Sequence, residues 1–498
     1  MGSDPKNCMI LAQRSHPIPV TRDRAWPLHG ATRTRQIEQQ ALARHPDPSL
    51  MQRAGLAVAK LALAIAPHAE RIWLACGAGN NGGDGLEAAI HLQRWGKQVL
   101  VNWLGSPGQV PADSQAAWER FQACGLSLCE SPPAQWDCAI DGLLGIGGSR
   151  PPQGVMADWL SRMANAPTPL LQIDVASGLD AQTGFWHGRP LATQAQRHTL
   201  SLLTLKPGLF TADGRDASGE VWFDDLGVVP APTADGWLQA QRAAPLLRRE
   251  NSHKGNFGDV VVVGGDAGMS GAAVLAAQAA LRGGAGRVWL GLLDDKLRDA
   301  VVGQYPTLMS CDPEAVEVRE RTVVCGCGGG DAVRAVLPRL LSSAASLVLD
   351  ADALNALDDP SLRQLLRQRT ARHRPTVLTP HPLEAARLLG CDVQTVQSDR
   401  LGYAQALCDL TGAVVVLKGS GTIIAAPQQA PVINASGHPR LAMAGTGDVL
   451  AGLMGSELAQ GLEAHKAACR AVARHGWAAQ HWPPQRAFDA WALTTRLG

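Results

Sequence analysis

Short apolar runs alternate with longer amphipathic or alanine-rich stretches along nearly the whole chain, and this alternation limits the fold more than any single motif. Strand-length runs separated by helix-length stretches are the pattern of parallel strands joined by crossover helices, so the expected fold class is α/β. In the first half, helices are expected over Thr32–Arg44 and Ser49–Ile65, the second capped by Ser49 after the turn Pro46–Pro48. Strands are expected at Ile72–Cys76, Gln98–Trp103, Cys138–Asp141, Leu170–Val175, Thr199–Leu203 and Gly219–Phe223. A composition break follows at Val228–Asp235, which holds two prolines. A second series then predicts strands at Asp259–Gly264, Arg287–Leu290, Arg321–Cys325, Ser346–Asp350, Thr376–Leu378, Ala413–Leu417 and Thr422–Ala425. The two series share a layer type but no sequence period.

A chain of 498 residues exceeds one ordinary core, which agrees with two series. Lys plus Arg (45) nearly balances Asp plus Glu (44), so neither nucleic acid nor an anionic membrane is an expected partner. The 11 scattered cysteines are odd in number and read as reduced thiols. Cys325 and Cys327 do not form a CxxC pair, and no His or Cys stands near them at zinc spacing. Met9–Ala12 is too short an apolar run for a signal peptide, and no stretch approaches a membrane span. The expectation is a soluble, cytoplasmic protein with a mobile N-terminal tail over residues 1–28.

Between the strand Ile72–Cys76 and a helix expected at Leu86–Trp95 lies GAGNNGGDG, residues 77–85. Gly77, Gly79 and Gly82 form a GxGxxG in the strand–turn–helix setting that lets backbone approach a pyrophosphate. An ordinary NAD fingerprint needs an acidic residue after the next strand, where this chain has Leu104 and Gly105. A turn that serves packing alone does not need Asn80, Asn81 and Asp84 together. Asp141 in DGLLGIG (141–147) and Asp174 in DVASGLD (174–180) each stand at the carboxyl end of an expected strand, the edge where open α/β sheets bind ligands. Asp174 is a candidate general base, and Asn81, Asp141 and Ser177 carry oxygens suited to an alkali cation; the plain alternative is that both aspartates cap turns.

These motifs, with LKPGL (205–209) and LMQRAG (50–55), resemble the NAD(P)H-hydrate epimerase domain over residues 29–228. The resemblance implies a Rossmann-like three-layer domain that interconverts R and S hydrates at nicotinamide C6. It implies a substrate site lined by Asn80, Asn81, Gly82, Gly83, Asp84, Gly145, Ile146, Gly147, Gly148, Ser149, Arg150 and Pro151, with Asp174 as the acid–base group. Asn81, Asp141 and Ser177 would hold K+. Two departures from the family stand out: Ala176 where proline is usual, and Arg150 as the only charged candidate where some members carry a loop lysine.

In the second half, AGTGD (444–448) precedes a helix expected at Val449–Gly461. Small residues at a helix start leave N–H groups aimed at one point, an anion hole suited to phosphate. Asp448 stands beside it, where it can take a proton from a hydroxyl attacking phosphorus or simply favour the helix dipole. KGSGT (418–422) joins two strands, so it is not a Walker A loop; Lys418 and its flexible turn suit nucleotide phosphates, but on this motif alone a solvated hairpin lysine is the stronger reading. TPHPLE (379–384) offers His381 to a substrate and Glu384 to a magnesium-bound water. With HKGNFG (253–258) and LDADALN (349–355), these motifs resemble the NAD(P)H-hydrate dehydratases of the ribokinase-like superfamily over residues 245–498, leaving 229–244 as the expected linker.

That resemblance implies that Ala272, Gly328, His381 and Asp448 contact the hydrate. Lys418, Gly419, Ser420, Gly421, Thr422 and Gly447 would hold ADP, with Mg2+ at the same site. Together the halves imply a bifunctional repair enzyme for NADHX and NADPHX that uses ADP as co-substrate, expected as a homo-oligomer. One rival reading is a vitamin or sugar kinase of the same superfamily carrying an accessory N-terminal domain; a second is a first domain that holds the nucleotide without catalysing anything.

Overall fold

The computed structural model describes residues 16–44, 47–148, 150–188, 193–228, 233–240 and 249–497, apart from the side chains of 44, 298, 299 and 302. Two compact units result, residues 1–21 with 27–236 and residues 22–26 with 237–498, and the short strand β2 (Trp26–Leu28) straddles their boundary.

The sheet of the first unit contains β1 (Ile18–Pro19), β3 (Arg71–Cys76), β4 (Gln98–Trp103), β5 (Cys138–Gly142), β6 (Leu170–Ile173), β7 (Arg197–Leu202) and β8 (Glu220–Asp224). Their order is β1-β8-β7-β6-β5-β3-β4, parallel throughout except for β1 against β8. The chain runs from β3 outward to β4, then crosses back to β5 on the other side of β3. The carboxyl ends of β3 and β5 therefore flank a topological switch point, where a crevice opens. Helices Leu50–Ile65, Asn80–Arg94 and Ala112–Ala123 are among those covering the sheet. Ser49 caps the first of them, accepting from the Gln52 amide while the Gln52 side chain accepts from the Ser49 N–H.

The expected helix at Leu86 begins instead at Asn80, with Gly79 as its cap. Glycine's low helix propensity hides this start in the sequence, but close packing requires it: a Cβ on Gly82 would collide with the Gly77 carbonyl. The expected N-terminal tail is also shorter than predicted, because Ile18 and Pro19 pair with Phe223 and Trp222.

The second unit contains β9 (Gly236–Gln239, its first residue at the boundary), β10 (Asp259–Gly264), β11 (Arg287–Leu292), β12 (Met309–Ser310), β13 (Thr322–Cys325) and β14 (Ser346–Leu349). β15 (Thr376–Leu378), β16 (Val414–Leu417), β17 (Ile423–Ala425) and β18 (Val432–Asn434) complete the set. Its sheet runs β12-β11-β10-β13-β14-β15-β16-β17-β18-β9. Pairing is parallel from β12 to β16, antiparallel at β16–β17 and β17–β18, and parallel again at β18–β9. The core lies between this sheet and the alanine-rich helix Ser270–Gly283 with helix Thr446–Ala459, which approach closely because Gly452 sits against the Ala276 carbonyl.

β9 corrects the expected linker over 229–244: Trp237, Leu238 and Gln239 pair with Val432, Ile433 and Asn434, and Leu238 is buried. Residues 229–232 and 241–244 of that linker lie outside the described residues.

Candidate active sites

At the switch point of the first sheet a cavity of about 700 Å3 is lined by Asn80, Asn81, Asp84, Gly145–Gly148, Asp174 and Lys206, among others. Asn80, Asn81, Asp84 and Asp174 each follow a strand or stand in the first turns of the helix behind one. Asp174 comes directly after β6 in left-handed backbone (φ 67°), its N–H donating to Leu200 O at 2.7 Å. Its carboxylate accepts from the Leu202 N–H at 3.2 Å and is ion-paired with Lys206. Lys206 is 1% exposed and donates a second bond to Leu202 O at 2.6 Å. In the sequence Lys206 stands out only as part of LKPGL; that a lysine there reaches Asp174 depends on the pairing of β6 with β7.

Three further acids, Glu38, Asp84 and Asp113, line the cavity. Burial holds the Asp84 carboxyl well above the usual range, and Asp174 and Glu38 raise it further against the opposing pull of Lys206. Glu38, on helix Ala31–Arg44, is raised by burial and then by Asp174; no motif marks it in the sequence.

The three expected K+ ligands share one neighbourhood. Ser177 Oγ donates to Asp141 at 2.7 Å, the Ser177 N–H donates to the same carboxylate at 3.1 Å, and Asn81 donates to Leu144 O at 2.9 Å. Asp141 is 1% exposed, and burial raises its pKa against the Ser177 bond. Of the expected substrate residues, Gly82 and Gly83 pack against Gly77 and Met51 rather than line the cavity. Arg150 and Pro151 also lie outside the lining set, and Ser149 lies outside the described residues.

In the second unit, the carboxyl ends of β13 to β16 bring Cys327, Asp350, Thr379, His381 and Lys418 to one edge, with helix Thr446–Ala459 entering from above it. Lys418 Nζ donates to Asp350 Oδ1 at 2.7 Å and stands 4.0 Å from Glu384. Thr379 Oγ1 donates to the same Asp350 oxygen at 2.7 Å. Burial opposes the charge on Lys418, but Asp350 and Glu384 outweigh it and raise the pKa. A Cβ on Gly447 would lie 3.4 Å from Lys418 Nζ, so the glycine keeps the helix start open beside the ammonium.

Asp448 Oδ, Asp350 Oδ and Cys327 Sγ lie within 4.8 Å of one another. Burial and the Asp350 charge push Asp448 up to about 6, and burial pushes Glu384 up to about 7. His381 caps helix Pro382–Leu389 through Nδ1 and reaches Glu384 with Nε2 at 3.2 Å. Gly328 sits against Met269 and Ala272. Gly419 packs against the Arg400 guanidinium, and Thr422 Oγ1 closes the turn onto Gly419 O at 3.1 Å. The sequence alone does not single out Asp350 or Thr379 as site residues, although they sit inside LDADALN and TPHPLE. Among the described residues no helix is long and apolar enough to cross a membrane.

Two α/β units, each gathering carboxylates and a lysine at the carboxyl edge of a parallel sheet, define a two-domain enzyme. A family model described as NAD(P)H-hydrate dehydratase matches residues 260–497, and one described as YjeF-related protein N-terminus matches residues 48–208. The bifunctional NAD(P)H-hydrate repair enzyme of Escherichia coli is 34% identical over 451 residues, covering 86% of this chain and 84% of that protein. The ADP-dependent (S)-NAD(P)H-hydrate dehydratase of Neisseria meningitidis is 46% identical over 239 residues, 47% of this chain and 79% of that one. A crystal structure of the ADP/ATP-dependent NAD(P)H-hydrate dehydratase from Bacillus subtilis, with ATP/Mg2+, is 29% identical with a TM-score of 0.46, covering 52% of this chain and 94% of that one. The chain belongs to the bifunctional NAD(P)H-hydrate repair enzymes.

Proposed function

We propose that the first unit is the epimerase and the second the dehydratase, acting in turn on hydrated NADH and NADPH. The enzyme epimerises the R and S hydrates and dehydrates the S form, converting ADP to AMP and phosphate. The observation that carries the dehydratase assignment is the Asp448 carboxylate beside the amides of a helix start and the Lys418 ammonium. Asp448 takes the proton of the C6 hydroxyl as that oxygen attacks the terminal phosphorus of ADP, and AMP departs. The phosphorylated oxygen then leaves C6 as phosphate, a proton is lost from C5, and the dihydronicotinamide double bond is restored. Lys418, the turn Gly419–Thr422 and Gly447 hold the nucleotide; Ala272, Gly328 and His381 face the hydrate.

Magnesium suits the oxygen donors of Asp350 and Asp448 and not the Cys327 thiol, with Glu384 placed to order one of its waters; when bound it would neutralise phosphate charge. In the epimerase, Asp174 is the acid–base group. The buried, raised Asp141 carboxylate has no hydrogen-bonded cationic side chain among the described residues. With the Asn81 and Ser177 oxygens it makes a site fit for K+. Every described cysteine is free, which fits a cytoplasmic setting.

The test is to incubate the protein with mixed-epimer hydrate and ADP and follow the absorbance of reduced nicotinamide. Fast recovery of all the hydrate is expected. Accumulation of a stable phosphorylated hydrate would instead favour a kinase, and rapid recovery of the S fraction alone would remove the epimerase.

A further inference from the structure

Asp174 is the acid–base residue of the epimerase reading above, on which this inference rests, yet reversible exchange at a hydroxyl-bearing carbon calls for two groups, one giving a proton and one taking it. We propose that Asp84 is the proton donor and Asp174 the acceptor, with Lys206 the positioning residue that holds the two in opposite protonation states.

Asp84 and Asp174 line one cavity from neighbouring elements, Asp84 from the start of helix Asn80–Arg94 and Asp174 from the end of β6. Their chain neighbours nearly touch: a Cβ on Gly85 would lie 3.8 Å from Ile173 Cδ1. Lys206 spends its hydrogen bonds on Asp174 and Leu202 O. None of the described residues hydrogen-bonds the Asp84 carboxyl, which faces Asp174, Lys206, Glu38 from helix Ala31–Arg44 and Glu87 from its own helix. One ammonium among several carboxyls supports one ionised partner, and the bonded Asp174 is that partner. Asp84, half-buried beside that charge, holds its proton more tightly than an ordinary carboxyl.

Asp84 gives its proton to the C6 hydroxyl as the C6–O bond breaks and the electron pair leaves with oxygen as water. The N1 lone pair fills the vacancy, making a planar C6=N1 iminium. Water adds to the opposite face, a new C6–O bond forms, and Asp174 takes the released proton. Return of that proton to Asp84 resets the site, and nothing is consumed.

The experiment uses the full-length protein and a single hydrate epimer without ADP, so the dehydratase has no phosphate donor. Wild type in 18O-water should incorporate one 18O at C6 with each inversion. Asp84→Asn should slow inversion by at least about 100-fold, the lower range of a general acid's contribution. Because Asn removes a carboxyl whose ionised form the fold disfavours, the variant should melt no lower than wild type, and ADP-dependent dehydration of the S hydrate should persist. Wild-type inversion should fall as pH rises and Asp84 ionises. Near-normal inversion by Asp84→Asn, or wild-type inversion without 18O uptake, would overturn the proposal. Absence of inversion in the wild type would sink the epimerase reading itself, a separate result.

Discussion

Replacing Asp448 by Asn should cost activity and gain stability, and both magnitudes follow from where the carboxylate sits. As general base, Asp448 contributes about 10²–10⁴-fold, so turnover of the S hydrate should fall by that factor, roughly 3–5.5 kcal/mol of barrier. The stability change has the opposite sign. Burial, then the neighbouring Asp350, raises Asp448 from 3.8 to about 6. The folded state therefore binds more protons than the unfolded chain within that window, and stability falls as pH rises through it. Above pH 6 the cost is fully present, at most on the order of 3 kcal/mol. Asn carries no such charge, so Asp448→Asn should melt several degrees higher at pH 8, at roughly 2–4 °C per kcal/mol, and lose that advantage toward pH 4. Wild-type turnover should also drop about tenfold for each pH unit below 6, as the base is protonated. Turnover from nicotinamide absorbance, ADP affinity and melting curves at pH 5 to 8 decide the matter. Near-normal turnover in the variant would leave Asp448 as a first-turn acid that only favours the helix dipole.

Two further outcomes are expected. A fragment beginning at residue 233 should repair only the S epimer and melt higher than one beginning at 240, which loses β9 and the buried Leu238, about 1.5–3 kcal/mol of apolar burial; equal melting would show β9 to be dispensable. Asp141→Asn keeps hydrogen bonding near Ser177 but removes the charge, so a potassium titration should show stimulation of epimer exchange lost and S-hydrate dehydration unaltered; an equal fall in both activities would make the residue structural.

What could be read from the sequence were features with a local cause. The apolar runs at Gln98–Trp103, Asp259–Gly264 and Thr376–Leu378 are strands with those same bounds, because strands of parallel sheets are buried on both faces and leave near-continuous apolar runs. Ser49 and Gln52 carry a cap whose partners lie within four residues in the chain. Features with a distant cause were hidden. GWLQ at 236–239 is a strand only because Val432–Asn434 lies beside it, and the helix start at Asn80 rests on packing that overrides glycine propensity. Lys206 and Glu38 look like any lysine after a strand or any glutamate on a polar helix. Their meaning comes from Asp174, brought to them by the sheet and by helix Ala31–Arg44.

The two sites, on unrelated sequences, reach the same electrostatic arrangement. In each, a lysine with little or no exposure is bonded to an aspartate that follows a parallel strand, Lys206 to Asp174 and Lys418 to Asp350. In each, a second aspartate on the helix behind the Gly-rich turn is left without an ammonium of its own and is raised in pKa, Asp84 and Asp448. A single buried cation cannot stabilise two carboxylates equally, so the one it bonds stays ionised and the other becomes the titrating group. The two reactions then require opposite protonation states, because the epimerase needs Asp84 protonated and the dehydratase needs Asp448 ionised. Asp448, at about 6, sets the low-pH limit of the dehydratase, and Asp84, held well above the ordinary carboxyl range, sets the high-pH limit of the epimerase. Falling pH should therefore silence the dehydratase and rising pH the epimerase. Recovery of R hydrate, which needs both steps, should follow a bell whose acid limb belongs to Asp448 and whose alkaline limb belongs to Asp84.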